Sequence, residues 1–378
     1  MRSHERWPEA RPRRALPTRW VRGRAAAACG CAALALLLAA CAAPAAAPTA
    51  PAPAARDAAA SGAASAGSGA SSGQASPPAP ATISYSQITL TALSWPFIIA
   101  EPAGLYARQG LTVDTTIGGT TAATAQALVA GAVDVAQLNV VQHITAVQKG
   151  ADLALVAGNA AVPPYSLMAG AGVSTYADLR GKPVAVAGVT DPLNYVLRKM
   201  LAANGLADGD YDMLPVGSTN ERLVAVQKGA VAATLLSQPD DFIAESMGLG
   251  RLGGSTDYVD SLQYTATSVR RDWARQNRDV LVRFLRAYVE ACRWFYDPAN
   301  RAEAIRLYVD QTHADPDLTA RTYDLYVGSG KVLAKAGEVN LEGLRVLADN
   351  WQEFGLAAPP PPTDTWLDLS YLEEAQRP

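Results

Sequence analysis

Short apolar strands alternate with longer helical segments along the middle of the chain, and this alternation constrains the fold more than any other feature. Two units are alike: "QALVAGAVDVAQLN" (residues 126–139) and "LVAVQKGAVAATLLS" (residues 223–237). Each gives an apolar helix end, a glycine and a Val/Ala-rich strand that ends on a polar residue. Regular βα alternation predicts an α/β fold with mostly parallel sheets flanked by helices. The repeat predicts two such sheets.

The order of the predicted elements indicates a two-lobe body in which the chain crosses between the lobes twice. Lobe 1 is expected to comprise residues 82–172 and 264–378, and lobe 2 residues 173–263. In open α/β sheets a ligand binds beyond the carboxyl ends of the strands. The polar residues that end the two similar strands, Asn139 in one lobe and Ser237 in the other, are therefore expected to face each other across a cleft.

The first forty residues have the pattern of an export signal. An arginine-rich start is followed by an apolar run, residues 25–40, that is shorter than the roughly twenty residues a membrane-spanning helix needs. The run ends in "LAAC", which resembles the lipobox of bacterial lipoproteins and predicts a lipid on Cys41. The alternative is a secretory leader that happens to contain cysteines.

Residues 41–81 are nearly all Ala, Pro, Ser and Gly. Such a segment cannot bury enough apolar surface to offset chain entropy, so we expect a disordered tether. A flexible coil of about forty residues spans about 35 Å. The body would then be held near a membrane while free to turn.

Removal of the leader changes the charge balance, because it contains 8 of the 32 basic and 2 of the 35 acidic residues. The remaining 24 basic and 33 acidic residues give a formal charge of −9, which argues against nucleic acid as a partner. Only Cys41 and Cys292 remain, so a disulfide framework or a cysteine metal site is excluded from the body. Cys292 is expected in the core.

Four segments together resemble the substrate-binding proteins of bacterial ABC importers, in the nitrate/sulfonate/taurine and thiamine-pyrimidine-precursor group. They are, in order along the chain, "FIIAEPAGLYARQGLTVD", "AQALVAGAVDVAQLN", "VSTYADLRGKPVAV" and "RLVAVQKGAVAATLLSQP". The resemblance implies the type II fold of periplasmic binding proteins, with closure on a ligand by hinge motion. One departure is Ala232, which stands where the family pattern has an Asp like Asp134. This Asp is expected to be structural.

The resemblance and the strand-end rule select the same loops for ligand binding. In lobe 1 they give Ser94, Trp95, Gly119, Thr120, Thr121, Asn139 and Gln142, and in lobe 2 Thr190, Asp191, Asn194, Ser218, Thr219 and Gln238.

For several of these residues a purely structural role is an equal alternative. Thr120, Thr190 and Ser218 lie where helices begin and would serve as N-caps. Trp95, Tyr165 and Tyr195 could stack on a flat ligand or belong to the core. Arg222 is the nearest basic residue and is expected to face solvent, which disfavours a doubly charged, phosphate-like ligand. A monoanion or a neutral heterocycle remains open.

Enzyme functions find little support in the sequence. Beyond the leader there are only His143 and His313, and no His/Cys cluster has metal-binding spacing. "GLGRLG" (residues 248–253) matches a dinucleotide fingerprint by letters but follows a helix, so we interpret it as a helix end and turn. "YVGSGKV" (residues 326–332) lacks the first glycine and the Ser/Thr of a P-loop. No catalytic residue, metal or cofactor is predicted.

The sequence therefore predicts a membrane-tethered, extracytoplasmic and monomeric solute-binding protein. It would capture a small solute, a sulfonate-, nitrate- or taurine-like monoanion or a small heterocycle, and deliver it to an ABC permease and its ATPase subunits. Two alternatives are a ligand-sensing lobe for a membrane receptor and an enzyme of the thiamine-pyrimidine type on the same fold. The cysteine-rich motif of those enzymes is absent from this sequence.

Overall fold

A computed structural model describes residues 79–189, 191–356 and 358–377, which belong to one compact unit, Gly73–Pro378. The predicted export signal, the lipid site at Cys41 and the tether up to residue 78 lie outside the described residues. In chain order the strands are β1 Ala81–Gln87, β2 Leu111–Ile117, β3 Val135–Asn139, β4 Leu153–Gly158, β5 Tyr165–Ala169, β6 Pro183–Val186, β7 Asp212–Pro215, β8 Ala233–Ser237, β9 Gly250–Gly254 and β10 Thr265–Arg270.

Helices cover both sheets and form most of the C-terminal third of the chain. They are α1 Trp95–Ala100, α2 Leu105–Arg108, α3 Thr121–Val129, α4 Val140–Gln148, α5 Leu193–Ala203, α6 Thr219–Gln227, α7 Asp240–Ser246, α8 Arg271–Gln276, α9 Arg278–Tyr296, α10 Arg301–Thr312, α11 Pro316–Ser329, α12 Leu341–Asp349 and α13 Ser370–Gln376.

The ten strands form two five-stranded sheets with the same topology. The first has the order β2-β1-β3-β10-β4 and the second the order β7-β6-β8-β5-β9. In each sheet the fourth strand is antiparallel to both neighbours, and it is the strand that enters from the other sheet. The predicted α/β fold with two lobes and two crossovers is confirmed, and each sheet is mixed because of that one reversed strand.

The two crossovers lie between β4 and β5 and between β9 and β10. The lobe boundaries expected near residues 172 and 264 stay predictions. In the structure β5, which ends at Ala169, already pairs with β8 and β9 of the second sheet. The crossovers also contact each other directly, since the Tyr264 N–H donates to Ala160 O at 3.0 Å and the Asn159 N–H donates to Thr265 O at 3.0 Å.

Two helical regions are interrupted in the structure. Residues 95–100 and 105–108 form separate helices, and Gly104 between them has a φ of +70°. Pro102 lacks an N–H for the helix ladder, and the left-handed φ of Gly104 suits glycine alone at low cost. Similarly, the helical region from residue 271 to residue 296 breaks at Asn277 into α8 and α9.

Asp134 has the structural role that the sequence predicts. Its Oδ2 accepts hydrogen bonds from the Ser84 N–H at 2.9 Å and from Ser84 Oγ at 2.7 Å, which joins the turn before β3 to β1. At the corresponding turn of the second sheet, the Ala232 N–H donates to Pro183 O at 2.7 Å. The first sheet has the equivalent main-chain bond, from the Asp134 N–H to Ser84 O at 3.0 Å, so this connection is present in both sheets with or without the Asp side chain.

Candidate ligand-binding site

A cavity of about 280 Å³ lies at the carboxyl ends of the central strands, between the two sheets. Its wall combines the loops after β1 and β2 and the end of β3 from lobe 1 with the loops after β6 and β7 and the end of β8 from lobe 2. Tyr165 and Tyr264, one from each crossover, complete the lining. The volume is at the lower end of the range for ligand pockets, so the cavity suits a small molecule.

Eight of the predicted site residues line this cavity. They come from both lobes and therefore meet only in the tertiary structure: Gly119, Thr120, Thr121, Asn139, Gln142, Asp191, Ser218 and Thr219.

Thr120 and Ser218 combine the two roles that the sequence left open. Thr120 Oγ1 accepts from the Ala123 N–H at 3.1 Å, and Ser218 Oγ accepts from the Glu221 N–H at 3.4 Å, so both residues are helix N-caps. Both also line the cavity. They occupy equivalent places in the two lobes, at the starts of α3 and α6, so each repeated unit is preceded by a similar loop.

Trp95 does not line the cavity. Its side chain is fully buried, its indole N–H donates to Ala304 O at 3.2 Å, and its ring packs on Tyr308 with centroids 4.3 Å apart. These partners lie on α10, more than two hundred residues away in sequence, so the local pattern around Trp95 carried no sign of them. Trp95 is a core residue of the first lobe.

Three other predicted residues support the cavity or lie beside it. Ser94 Oγ donates to Gln137 Oε1 at 2.8 Å, and Asn194 Nδ2 donates to Gly188 O at 2.9 Å, so both hold neighbours that line the wall. Gln238 donates from Nε2 to Asp241 and lines a separate cavity instead. Thr190 lies outside the described residues.

Gln137 is a lining residue that the sequence analysis missed. It is 2 % exposed, and while its Oε1 accepts from Ser94, its Nε2 has no hydrogen-bond partner among the described residues. Asn139 is 4 % exposed, and its Oδ1 likewise has none. Alternate residues of a strand share a face, so the position of Asn139 could have pointed to Gln137. The first lobe's part of the wall thus contains one buried donor and one buried acceptor without a hydrogen-bond partner among the described residues.

Arg222 is buried and lines the cavity, so the expectation that it faces solvent is wrong. It is the fourth residue after the N-cap Ser218, and helical side chains tilt toward the N-terminus of their helix. The guanidinium therefore reaches back to the cap, where Nη1 donates to Gly217 O at 2.5 Å. The lack of a nearby arginine therefore no longer disfavours a doubly charged, phosphate-like ligand.

Burial dominates the ionisation of the other lining groups. It raises the pKa of Tyr165 to about 12 and raises that of Tyr264 further, so both hydroxyls stay protonated at neutral pH. The two hydroxyl oxygens lie 3.1 Å apart. Burial also raises the pKa of Asp191, while the Leu193 N–H and the positive charge of Arg222 oppose the change. Tyr195, the other proposed stacking residue, packs on Phe354.

Among the described residues, no group of three or more His, Cys, Asp or Glu side chains is arranged to hold a metal ion. Cys292 is buried, and burial raises the pKa of its thiol to about 12, consistent with the predicted core position. In the same part of the chain, no helix is both long and apolar enough to cross a bilayer.

A model of the NMT1-like family matches residues 74–309. A search of curated proteins gives no match. Solved structures with similar folds share little sequence with this chain, so they speak to the fold alone. The resemblance inferred from the sequence is confirmed by the match to the NMT1-like family together with these similar folds.

Three solved structures show the extent of the similarity. The ligand-binding component of an ABC-type import system from Staphylococcus aureus has a TM-score of 0.64 at 15% identity, covering 79% of this chain and 99% of that one. The alkanesulfonate-binding protein SsuA from Xanthomonas axonopodis pv. citri has a TM-score of 0.64 at 18% identity, and the match covers 77% of this chain and 100% of that one. The nitrate-binding protein NrtA from Synechocystis PCC 6803 has a TM-score of 0.62 at 19% identity, and the match covers 79% of this chain and 89% of that one.

Proposed function

The chain belongs to the NMT1-like family, and from this premise we propose that it is an extracytoplasmic solute-binding protein that delivers a small solute to an ABC importer. The observation that carries the proposal is the cavity between the lobes. Its wall draws side chains from both sheets and both crossovers. Only a molecule bound in this cavity would contact all of these segments at once, as a clamp requires.

The solute is a small sulfonate-, nitrate- or taurine-like molecule or a small heterocycle. Support for an anionic group comes from the buried Arg222, and support for directional hydrogen bonding comes from Gln137 and Asn139. The names of two similar structures point the same way, since one binds alkanesulfonates and another nitrate. The protein acts as a monomer and leaves ATP hydrolysis to partner subunits.

A thermal-shift screen of the purified protein tests this function. The panel contains nitrate, alkanesulfonates, taurine, aromatic acids and pyrimidines, with ATP and NAD as controls. A ligand present at a thousandfold its Kd adds about 4 kcal/mol of stability. We expect at least one panel member to raise the melting temperature, and Asn139→Ala or Gln137→Ala to reduce its affinity. A response to NAD alone, with silence elsewhere, would contradict the proposal.

The variant Asp114→Asn serves as the matched control for the screen. Asp114 is exposed on β2, away from the cavity wall, so its loss of charge should leave the ligand response unchanged. An equal loss of affinity in this variant and in Asn139→Ala would show that the effect does not come from the cavity.

Membrane tethering through Cys41 is a separate part of the proposal and rests on the lipobox-like "LAAC". Cells fed a labelled fatty acid should incorporate the label into the protein and retain it in the membrane fraction. The variant Cys41→Ser should release unlabelled protein, whereas Cys31→Ser should not. Equal labelling of wild type and Cys41→Ser would overturn the lipid anchor.

The two alternative functions make different predictions. An importer component should support uptake of its solute into cells, and deletion of its gene should abolish that uptake. A sensing lobe would leave uptake intact and change a signalling output instead. An enzyme would convert the bound solute on prolonged incubation, which mass spectrometry of the recovered solute would detect.

A further inference from the structure

Two side chains with opposite charge distinguish the second lobe's part of the cavity wall. Among the described lining residues, only Asp191 and Arg222 are charged at neutral pH. All the others are hydroxyl, amide, aromatic or apolar residues. The first lobe contributes no charge, and Thr124 occupies in α3 the place of Arg222 in α6, four residues after the N-cap. The wall has no net formal charge but separates a cation from an anion.

Arg222 is a buried cation with no carboxylate partner. Its three hydrogen bonds go to neutral acceptors, namely Gly217 O at 2.5 Å, Leu235 O at 3.3 Å and Thr219 Oγ1 at 3.4 Å. None of the ion pairs among the described residues includes it. Asp191, Glu221 and Asp240 act on its charge at longer range, but none of them forms an ion pair with it. A guanidinium has five N–H donors, and a buried charge that no acid group contacts directly is costly. The cavity side of Arg222 therefore suits an acid group.

Asp191 is an acid group with too few hydrogen-bond donors around it. Among the described residues its only hydrogen-bond donor is the Leu193 N–H, which reaches Oδ1 at 2.8 Å. A carboxylate can accept about four hydrogen bonds, and burial already disfavours its charged form. A positively charged N–H donor in the cavity would fill the unused acceptor positions of the carboxylate and stabilise its charged form. A plain monoanion would do the opposite, because it would place a second negative charge in the same low-dielectric space.

Building on the proposed solute-binding function, we propose that the natural ligand is a small zwitterion, whose acid group faces Arg222 and whose ammonium group faces Asp191. The neutral first lobe then contributes hydrogen bonds from Gln137 and Asn139 rather than charge. A zwitterion brings no net charge into a cavity that has none. Arg222 and Asp191 are accordingly the residues that determine specificity, and they do so from one lobe.

Three matched pairs of probes test the inference by titration calorimetry with the purified protein. Each pair differs only by an amino group: ethanesulfonate and 2-aminoethanesulfonate, propanoate and 3-aminopropanoate, ethylphosphonate and 2-aminoethylphosphonate. In at least one pair the amino compound should bind at least tenfold more tightly than its plain partner. Equal or tighter binding of the plain partner in every pair that binds, or no binding by any of the six, overturns the inference.

Two substitutions assign the preference to the proposed residues. Asp191→Asn keeps the shape of the side chain but removes its charge, so the preference for the amino compound should fall below threefold. Arg222→Gln should weaken both members of the pair by at least tenfold. Asp114→Asn and Arg345→Gln remove exposed charges outside the wall and should leave both affinities unchanged. An undiminished preference in a folded Asp191→Asn protein contradicts the assignment, while the wild-type comparison stands independently of whether the variants fold.

The outcome also separates this inference from the broader function. If nitrate, an unsubstituted alkanesulfonate or a pyrimidine stabilises the protein while no amino compound binds better than its partner, solute binding stands and the zwitterion is wrong. If neither this panel nor the thermal-shift panel gives a response, both proposals fail.

Discussion

The hydroxyl groups of Tyr165 and Tyr264 lie 3.1 Å apart and join the two segments that pass between the lobes. Tyr165 is the first residue of β5, directly after the first crossover, and Tyr264 immediately precedes β10, after the second. Both side chains line the cavity. A ligand would therefore touch the segments about which the lobes would rotate, so binding and closure share the same residues.

Loss of this hydroxyl contact should cost a measurable part of the stability. In Tyr264→Phe the buried Tyr165 hydroxyl loses its partner, so the free energy of unfolding should fall by about 1 kcal/mol. Tyr195→Phe is the control, because the Tyr195 ring packs on Phe354 and its hydroxyl makes no hydrogen bond within the described part of the chain. Urea denaturation compares the two, and equal stabilities would contradict the structural role of the contact.

Trp95 should matter for stability and not for recognition. Trp95→Ala removes a fully buried ring from the cluster with Tyr308 and Phe295, and should lower the free energy of unfolding by about 3–5 kcal/mol. The milder Trp95→Phe should leave ligand affinity within twofold of wild type, as calorimetry would measure. A tenfold loss of affinity in a stable Trp95→Phe protein would instead place Trp95 in the site, as the sequence first indicated.

The close approach of two chain segments at Gly158 permits no side chain. A Cβ there would lie 2.1 Å from Glu338 O, which is main chain and cannot rotate away. Gly158→Ala should therefore destabilise the protein by about 1–3 kcal/mol or more. Gly328→Ala is the control, because a Cβ at that exposed helical position meets no atom within 4 Å and alanine favours helix by up to about 1 kcal/mol. In thermal melts the melting temperature of Gly158→Ala should fall, whereas that of Gly328→Ala should stay the same or rise.

His143 should make the protein less stable in acid. Burial, followed by the positive charge of Arg271, lowers the pKa of His143 to about 3 from its ordinary value of 6.5. Between these values the unfolded chain binds more protons than the folded one, so the stability present above pH 6.5 is lost as the pH falls. The loss is at most about 5 kcal/mol near pH 3, since one pKa unit corresponds to about 1.4 kcal/mol.

The variant His143→Gln isolates this contribution. Because it has no imidazole to protonate, its stability should decline less than that of wild type between pH 7.5 and pH 4.5, as measured by chemical denaturation. Asp240 acts in the opposite sense, because burial raises its pKa to about 6 and its folded form gains protons first as the pH falls. It is present in both proteins, so it cancels in the comparison. Parallel pH profiles would show that His143 is not held neutral.

Much of the candidate site follows from local rules. Thr120 and Ser218 were predicted from their places at helix starts, and Asn139 from its place at a strand end, because βα units always bring those ends to one edge of a sheet. Gln137 follows from a second local rule, because residues two apart on a strand share a face and Asn139 lies two residues further along β3. These residues needed no information from distant parts of the chain.

Other residues needed the whole fold. Trp95 lies on a helix whose partners are on α9 and α10, so its burial depends on packing between segments about two hundred residues apart. Arg222 was expected in solvent, yet the turn at Gly217 and the end of β8 close around its guanidinium. Contacts of this kind are not encoded in any single segment.

The sequence by itself determined the α/β class, the two lobes and the loops that meet at the cleft, because periodicity, turn residues and strand ends act over a few residues. Only the tertiary structure decided which side chains line the cavity, and it placed one buried cation and one acid there in an otherwise neutral wall. The physical reason is that the burial of a side chain and the electrostatic potential around it depend on contributions from several segments that are distant in sequence. They exist only once the two sheets have come together.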